Sequence, residues 1–260
     1  MHIARKRFGQ NFLQDTQIVR ACMDAIHPLP ADCVVEIGPG LGALTRPLLA
    51  LVPHLHVVEI DRDLIARLEQ TYAAEQLSVH GGDALEFDFA ALGEKLRIVG
   101  NLPYNISTPL LFHLSKFAPQ IKDMHFMLQK EVVDRMAAAP STSAFGRLSV
   151  MLQYHFQVLP LFDIPPQAFK PAPKVTSSFV RLLPLHPVPY AAQDVTLFAT
   201  VVAAAFAMRR KTLRNTLKGY LNDADFQALS IEPGWRAENL GVAEYVRIAN
   251  YLSANTRSAT

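Results

Sequence analysis

Short apolar runs alternate with amphipathic segments through the first two-thirds of the chain. CVVEIG (33–38) precedes LGALTRPLLAL, and HLHVVEID (54–61) precedes RDLIARLEQTYAA. LSVHGGD (77–83) comes next, LRIVGNLPY (96–104) leads to STPLLFHLSKF, and MHFMLQ (124–129) leads to KEVVDRMAA. Runs of this length rich in β-branched residues read as buried strands, and the segments between them carry helical periodicity. The βαβα rhythm predicts a parallel sheet covered by helices on both faces. LSVMLQYHFQVLPLF (148–162) and VTSSFVRLLPL (175–185) both read as long strands. Only a proline-rich loop joins them, so they are expected to pair antiparallel at a sheet edge. LHPVPY (185–190) reads as a linker, and the pattern beyond it is helical. The expectation is an α/β domain over 1–186, including an N-terminal arm, and a smaller α-helical domain over 187–260.

Composition narrows this without redirecting it. With 260 residues, 50% of them hydrophobic, the chain can bury one large core and a small satellite. The apolar stretch 195–208 is too short to span a bilayer and reads as a buried helix. The basic opening MHIARKRFGQNF does not resemble a secretory leader. Cys22 and Cys33 lack metal or redox spacing and are expected as buried thiols in a reducing cytoplasm. The net charge of +2 falls short of a strongly basic nucleic-acid binder, so a polyanion would have to be held by local patches. Two are visible: Arg5, Lys6 and Arg7 in the arm, and MRRKTLRNTLK (208–218), with five bases and no acid. As one helix, 208–218 would place Arg210, Lys211, Arg214 and Lys218 in one sector beside an apolar stripe of Val202, Phe206, Leu213 and Leu217. The same pattern also describes a solvated face on a core helix.

The glycines introduce chemistry. EIGPGLG (36–42) ends the first strand and opens a helix, with Gly38, Gly40 and Gly42 letting backbone approach a ligand. The spacing G-x-G-x-G is not the dinucleotide G-x-G-x-x-G, and no GK[ST] follows to cradle phosphates. Glu59, ending the second strand, is placed to receive ribose hydroxyls. Glu36 would repel a pyrophosphate and suit a cation. S-adenosylmethionine, with a ribose, no phosphate, an ammonium and a sulfonium, fits that set. Asp83 after the third strand is a further acceptor for an adenine amino group, or equally a helix N-cap.

NLPYN (101–105), after LRIVG, is either a strand-to-helix turn or an amine clamp. In the second reading the Asn101 side-chain oxygen and the Leu102 carbonyl accept the two hydrogens of an exocyclic adenine amine, aiming its lone pair at the donor methyl. Pro103 fixes φ. Tyr104 would stack on the base and stabilise developing positive charge.

With these residues in place, the chain resembles the ribosomal RNA adenine N6-dimethyltransferases, and within them the bacterial small-subunit enzymes. The resemblance runs over nearly the whole length through GQNFL (9–13), EIGPGLG, VVEID (57–61), GGDAL (81–85), NLPYNIS (101–107) and FKPAPKVTSSFVRL (169–182). It implies a Rossmann-like, S-adenosylmethionine-dependent methyltransferase sheet with a smaller C-terminal α-helical domain. Asn11, Leu13, Gly38, Gly40, Glu59, Asp83 and Asn101 would bind the cofactor, and Asn101, Leu102 and Tyr104 would form the clamp. Phe169 would be a second aromatic on the target base, delivered by the KPAPK loop. Arg5, Lys6, Arg7, Lys174, Arg210, Lys211, Arg214 and Lys218 would meet RNA. The implied reaction is dimethylation of two adjacent adenines in a hairpin loop near the 3′ end of 16S ribosomal RNA. The implied setting is an immature small subunit in the cytoplasm, with a monomeric enzyme, no metal and no membrane partner. The alternatives are a large-subunit (23S) adenine methylase of the macrolide-resistance type and a largely non-catalytic assembly factor. His54 and His56 alternate on one strand like a metal pair, but no Cys or acid set completes a site. Phe8 and Phe12 are arm aromatics, near the cofactor or simply anchoring the arm.

Overall fold

The computed structural model describes residues 10–257; Arg5, Lys6, Arg7 and Phe8 lie outside the described residues. A two-residue strand β1 (Phe12–Leu13) leads into α1 (Thr16–Ile26), whose N-cap Asp15 accepts hydrogen bonds from the amides of Gln17 and Ile18. The alternating elements then follow: β2 (Val34–Ile37), α2 (Thr45–Leu49), β3 (Leu55–Glu59), α3 (Arg62–Thr71), β4 (Leu77–Gly81), β5 (Leu96–Asn101), α4 (Ser107–Ser115) and β6 (Ile121–Gln129). All four residues of β2 are buried, as a strand covered on both faces requires.

One seven-stranded sheet has the order β4-β3-β2-β5-β6, completed by β9 (Ser177–Pro184) and, at the edge, β7 (Phe156–Ile164). The pairs β3–β4, β2–β3, β2–β5 and β5–β6 are parallel, and β6–β9 is antiparallel. This is the α/β architecture expected from the alternation. Chain order reverses at β2: β3 lies on one side of it and β5 on the other. A separate ribbon pairs β1 with β8 (Phe169–Lys170), placing Leu13 opposite Phe169.

The described chain divides into two compact units, one running to Val133 and including Gln157–Pro184, the other formed by Asp134–Phe156 and the residues from Leu185 onward. The chain passes from the first to the second within α5 (Lys130–Ala137). A single cut at 187 therefore misses the segment 134–156. The reason lies in the expected strand 148–162, whose first half is the helix α6 (Arg147–His155); the strand begins only at Phe156. Apolar side chains at 148, 150, 152 and 154 satisfy a period of two, but they also form two i,i+4 pairs on a helix. The start signal was local: the Gly146 amide donates to the Ser149 hydroxyl at 2.9 Å. Val150 and Tyr154 are then buried with Phe198, Val201 and Tyr245 in the core of the second unit.

That unit contains α7 (Val195–Ala205), α8 (Leu213–Thr216), α9 (Asp223–Ala228) and α10 (Val242–Arg257). The basic segment 208–218 is not the single helix expected. After α7 the chain turns, with the Lys211 amide donating to the Met208 carbonyl at 2.9 Å, and α8 is a single turn. Thr212 is extended and bridges Arg236 antiparallel, which prevents a continuous helix. The apolar half of the expectation survives, since Val202, Leu213 and Leu217 are fully buried.

Candidate active site

A crevice outside the carboxyl ends of the strands, at the point where chain order reverses, is the general ligand position in an open α/β sheet. Here it is a cleft lined by the arm residues Gln10 to Leu13, the turn after β2, Glu59 and Ile60 at the end of β3, Gly82 to Ala84 after β4, and Asn101 to Ile106 at the end of β5. Four separate parallel strands deliver their carboxyl-terminal turns to it.

The turn after β2 needs its glycines. Gly38, Gly40 and Gly42 all have positive φ, at 66°, 58° and 87°. A β-carbon on Gly40 would also stand 3.2 Å from two ring carbons of Phe12, so the arm packs directly on this turn. Phe12 is thus both an anchor of the arm and part of the cleft wall.

Two carboxyl groups flank that turn. Glu36 is 2% exposed and accepts a 2.6 Å hydrogen bond from the Thr45 hydroxyl. Burial pushes its carboxyl up to about 8, and the nearby Glu59 adds to the rise. Glu59 is also raised by burial, against the opposing effect of backbone donors. One of its oxygens accepts from the amides of Ile60 and Asp61, both at 2.9 Å; the other takes only a long 3.4 Å contact from the Gly40 amide. The second oxygen retains acceptor capacity toward the cleft. Asp83 combines both of its expected roles in part: Oδ1 accepts from the Leu85 amide at 2.9 Å in a turn, with no regular helix following, and the residue lines the cleft.

NLPYN is a turn as well as a candidate clamp. The Ile106 amide donates to the Pro103 carbonyl at 3.2 Å, and the Ser107 hydroxyl to the Tyr104 carbonyl at 3.1 Å, setting the start of α4. The Leu102 amide donates to the Met127 carbonyl at 3.2 Å, holding the turn against β6. The Asn101 side-chain NH2 donates to the main-chain carbonyl of Asn11 at 2.8 Å, leaving Oδ1 as the acceptor. The Tyr104 hydroxyl lies 2.8 Å from that of Ser177, at the start of β9. Burial pushes the Tyr104 phenol above its usual value.

The structure therefore brings Asn11, Leu13, Gly38, Gly40, Glu59, Asp83, Asn101, Leu102 and Tyr104 to one cleft. It does not bring Phe169 there. That ring is 5% exposed and packs in the cluster containing Leu13, Met127, Ala168 and Phe179, because pairing of β8 with β1 turns it inward. Lys174 is exposed on the loop before β9. Arg210 and Lys211 lie in the turn after α7, Arg214 on α8, and Lys218 beyond it, all exposed. His54 bonds the Glu75 carbonyl and the Ser78 hydroxyl, and His56 meets His80 at 3.1 Å. Among the described residues no group of three potential ligands could hold a metal.

Three contributors were missed in the sequence. Ser177 sits within a strand-like VTSSF run and gives no sign of reaching residue 104. Thr45 is simply a residue of a helical segment. Gly100 did carry a signal, a lone glycine inside a strand pattern. A β-carbon there would stand 2.6 Å from the Ile37 carbonyl oxygen, forcing apart β2 and β5 where the cleft opens.

The donor set fits S-adenosylmethionine. Burial disfavours the ionised forms of both Glu36 and Glu59, and Glu59 adds to the effect at Glu36; a ligand cation relieves this, and Glu59 keeps an oxygen available for a hydroxyl.

Comparison with known proteins gives a consistent picture. A family model described as "Ribosomal RNA adenine dimethylase" matches residues 1–254. The chain is 64% identical over 258 residues to "Ribosomal RNA small subunit methyltransferase A" of Aromatoleum aromaticum, covering 99% of this chain and 97% of the relative. The protein of the same name from Thiobacillus denitrificans is 63% identical over 97% of this chain and 99% of the relative. Among solved structures, a dimethyladenosine transferase from Plasmodium falciparum superposes with a TM-score of 0.76 at 25% identity, covering 95% of this chain and 98% of that one. The 23S rRNA methyltransferase ErmE shares the fold at a TM-score of 0.72 and 22% identity, over 94% of this chain and 100% of that one.

Proposed function

The chain belongs to the ribosomal RNA adenine dimethylase family, and from that premise we propose that it dimethylates N6 of two adjacent adenines near the 3′ end of 16S ribosomal RNA. When bound, S-adenosylmethionine supplies an electrophilic methyl group on a sulfonium. The observation that carries the reading is the orientation of the Asn101 amide, whose NH2 is held by Asn11 in the cleft that also contains the glycine turn and Glu59.

Asn101 Oδ1 and the Leu102 carbonyl accept the hydrogens of the target amine. This draws its lone pair out of ring conjugation and toward the methyl group. Tyr104, tethered through Ser177, offers a ring face fixed in orientation to a base that has left its stack. Glu59 would hold the cofactor's ribose hydroxyls and Asp83 the amino group of its adenine, with Asn11, Leu13, Gly38 and Gly40 shaping the remaining wall. Direct displacement at a methyl carbon needs orientation more than a strong base, and this set supplies orientation.

The substrate in this reading is RNA within an immature small subunit, met by a monomeric enzyme in the bacterial cytoplasm. RNA contacts come from Lys174 and from Arg210, Lys211, Arg214 and Lys218, with the residues from 187 onward serving as the RNA-recognition part. No helix among the described residues is long and apolar enough to cross a membrane. Relatives named for the small subunit match at 63–64% identity along nearly their full length, which favours 16S over 23S RNA.

The test offers methyl-labelled S-adenosylmethionine with unmethylated small subunits and, separately, with large-subunit RNA, and maps the modified bases. Two adjacent dimethylated adenines in small-subunit RNA are expected. Label confined to large-subunit RNA, or absent from both, would overturn the proposal.

A further inference from the structure

The second unit carries a surface that the clamp does not use. Trp235, the only tryptophan in the chain, is 46% exposed and is absent from the core of that unit. Among the described residues no ring stacks on it. A single exposed apolar side chain is ordinary on a protein surface, so exposure alone says nothing. What distinguishes Trp235 is how firmly its backbone is placed and what surrounds it.

Its amide donates to the Glu232 carbonyl at 3.0 Å, closing a tight turn. Its carbonyl accepts from the Leu213 amide at 2.7 Å, and the Arg214 amide donates to the Pro233 carbonyl at 3.1 Å. Thr212 bridges Arg236 antiparallel. These bonds tie the 232–236 turn to the basic segment 208–218, with exposed Arg210, Lys211 and Arg214 on one side of the bridge and exposed Arg236 on the other. Four acids lie in 223–238: Asp223 pairs with Arg214 at 3.1 Å, Asp225 accepts from the Tyr251 hydroxyl at 2.8 Å, Glu232 accepts from the Gly234 amide at 3.3 Å, and Glu238 follows Arg236 by two residues. Against these stand Arg209, Arg210, Lys211, Arg214, Lys218 and Arg236, so the balance of charge stays positive around a large indole carried on a firmly held main chain.

We propose that this surface binds a single-stranded stretch of RNA, with an unpaired nucleobase stacked on Trp235 and its flanking phosphates met by Arg210, Lys211 and Arg236. Aromatic platforms beside basic side chains suit unpaired nucleotides, because every base has a π-face and every linkage a charge. The inference rests on the reading that the substrate is RNA. It adds a contact to a nucleotide other than the target adenines.

Because the tryptophan is unique, its emission reports on this site directly. Unmethylated small-subunit RNA, stripped of protein, is titrated into the full chain while emission and RNA retention on a filter are followed together. Quenching that saturates with retention is expected. Trp235→Ala should weaken retention roughly tenfold without altering its salt dependence, whereas Trp235→Phe should stay within a few-fold of the parent. The backbone hydrogen bonds of residue 235 survive either change, and thermal unfolding of each variant checks that the fold does too. Retention with unchanged emission, or with no weakening in Trp235→Ala, overturns the stacking and leaves the methyltransferase reading intact. Where whole small subunits change the emission and bare RNA does not, footprinting of the subunit RNA decides: a base protected by the parent and not by Trp235→Ala carries the stacking, and protection identical in the two overturns it. If no RNA is retained and no label is transferred, both readings fall together.

Discussion

The side-chain amide of Asn101 donates to the main-chain carbonyl of Asn11 across 2.8 Å. Ninety residues apart in sequence, the two join the arm to the end of β5 and decide which way the amide points. With NH2 committed to a carbonyl, only Oδ1 remains to accept a hydrogen from a substrate amine.

Replacing Asn101 separates catalysis from cofactor binding. Asn101→Ala should lower kcat by about 100-fold or more while cofactor affinity stays within about tenfold. Asn101→Asp is the sharper test. The carboxylate still accepts, but it sets an oxygen against the Asn11 carbonyl and loses the arm. It should therefore also be severely impaired, with faster proteolysis of the arm. Near-normal turnover of either variant would remove Asn101 from the clamp.

Tyr104 owes its fixed ring to Ser177, 2.8 Å from its hydroxyl. Ser177→Ala frees the ring without removing it, so kcat should fall several-fold while cofactor affinity is unchanged. Tyr104→Phe should resemble it, and the double variant should cost no more than the worse single change, since both remove the same hydrogen bond. Additive effects in the double variant would show that the two act separately.

Cofactor binding should depend on pH through Glu36. Its carboxyl, pushed up to about 8 by burial and by Glu59, is mainly protonated in the free protein at pH 7. A bound cation favours the ionised form and lowers that value, so binding releases a proton, and affinity rises with pH until about 8. Calorimetric titration at pH 7 in buffers of differing ionisation enthalpy measures the release. Glu36→Gln should abolish it. Identical apparent enthalpies in every buffer would refute the linkage.

The expected RNA face makes its own prediction despite the broken helix. Removing the charges of Arg210, Arg214 and Lys218 together should weaken RNA binding and flatten its salt dependence, by about 0.7–0.9 in log–log slope for each phosphate no longer neutralised. Arg214 already pairs with Asp223, so it should contribute least. An unaltered slope would return these side chains to ordinary solvated surface.

These residues also show what the sequence made legible. Alternation of apolar runs gave the parallel strands because burial on both faces demands it, and the glycines at 38, 40 and 42 stood out because the turn needs left-handed backbone. What escaped was non-local. Alternating apolar residues at 148–154 satisfy either a strand or a helix, and only the available core decides between them. The break at Thr212 depends on its pairing with Arg236, and the inward turn of Phe169 on its pairing with Leu13. Neither partner is near in sequence.

A buried histidine beneath the site gives the last prediction. His125, on β6, is fully buried and stacks on Phe179 at 5.9 Å between centroids, with no hydrogen-bond partner for either ring nitrogen. Asp123 lies 3.8 Å away, but it is already claimed by the Arg97 guanidinium through bonds of 2.9 and 2.8 Å and approached by Arg181 at 3.3 Å. Burial, aided by Arg181 and Arg97 against the pull of Asp123, holds the imidazole down to about 4. The unfolded chain takes up this proton near its ordinary value of about 6.5, well before the folded one. The contribution of His125 to stability is therefore constant above that point and falls as pH drops from about 6.5 toward 4, by up to about 1.4 kcal/mol per pH unit for one proton. His56, His80 and His155 are also lowered by burial and add slopes of the same sign, while Glu36 and Glu59, raised by burial, add slopes of the opposite sign, so the comparison must be with a variant. Asp32, held down to about 2 by its bonds to Lys122, Leu29 and Arg97, loses its contribution only below about 3.8. His125→Phe keeps a ring against Phe179 and removes both unpaired nitrogens. It should match or exceed the parent in urea midpoint at pH 7, and its advantage should widen between pH 6.5 and 4.5. Parallel pH profiles for parent and variant would show that His125 is not the group being charged.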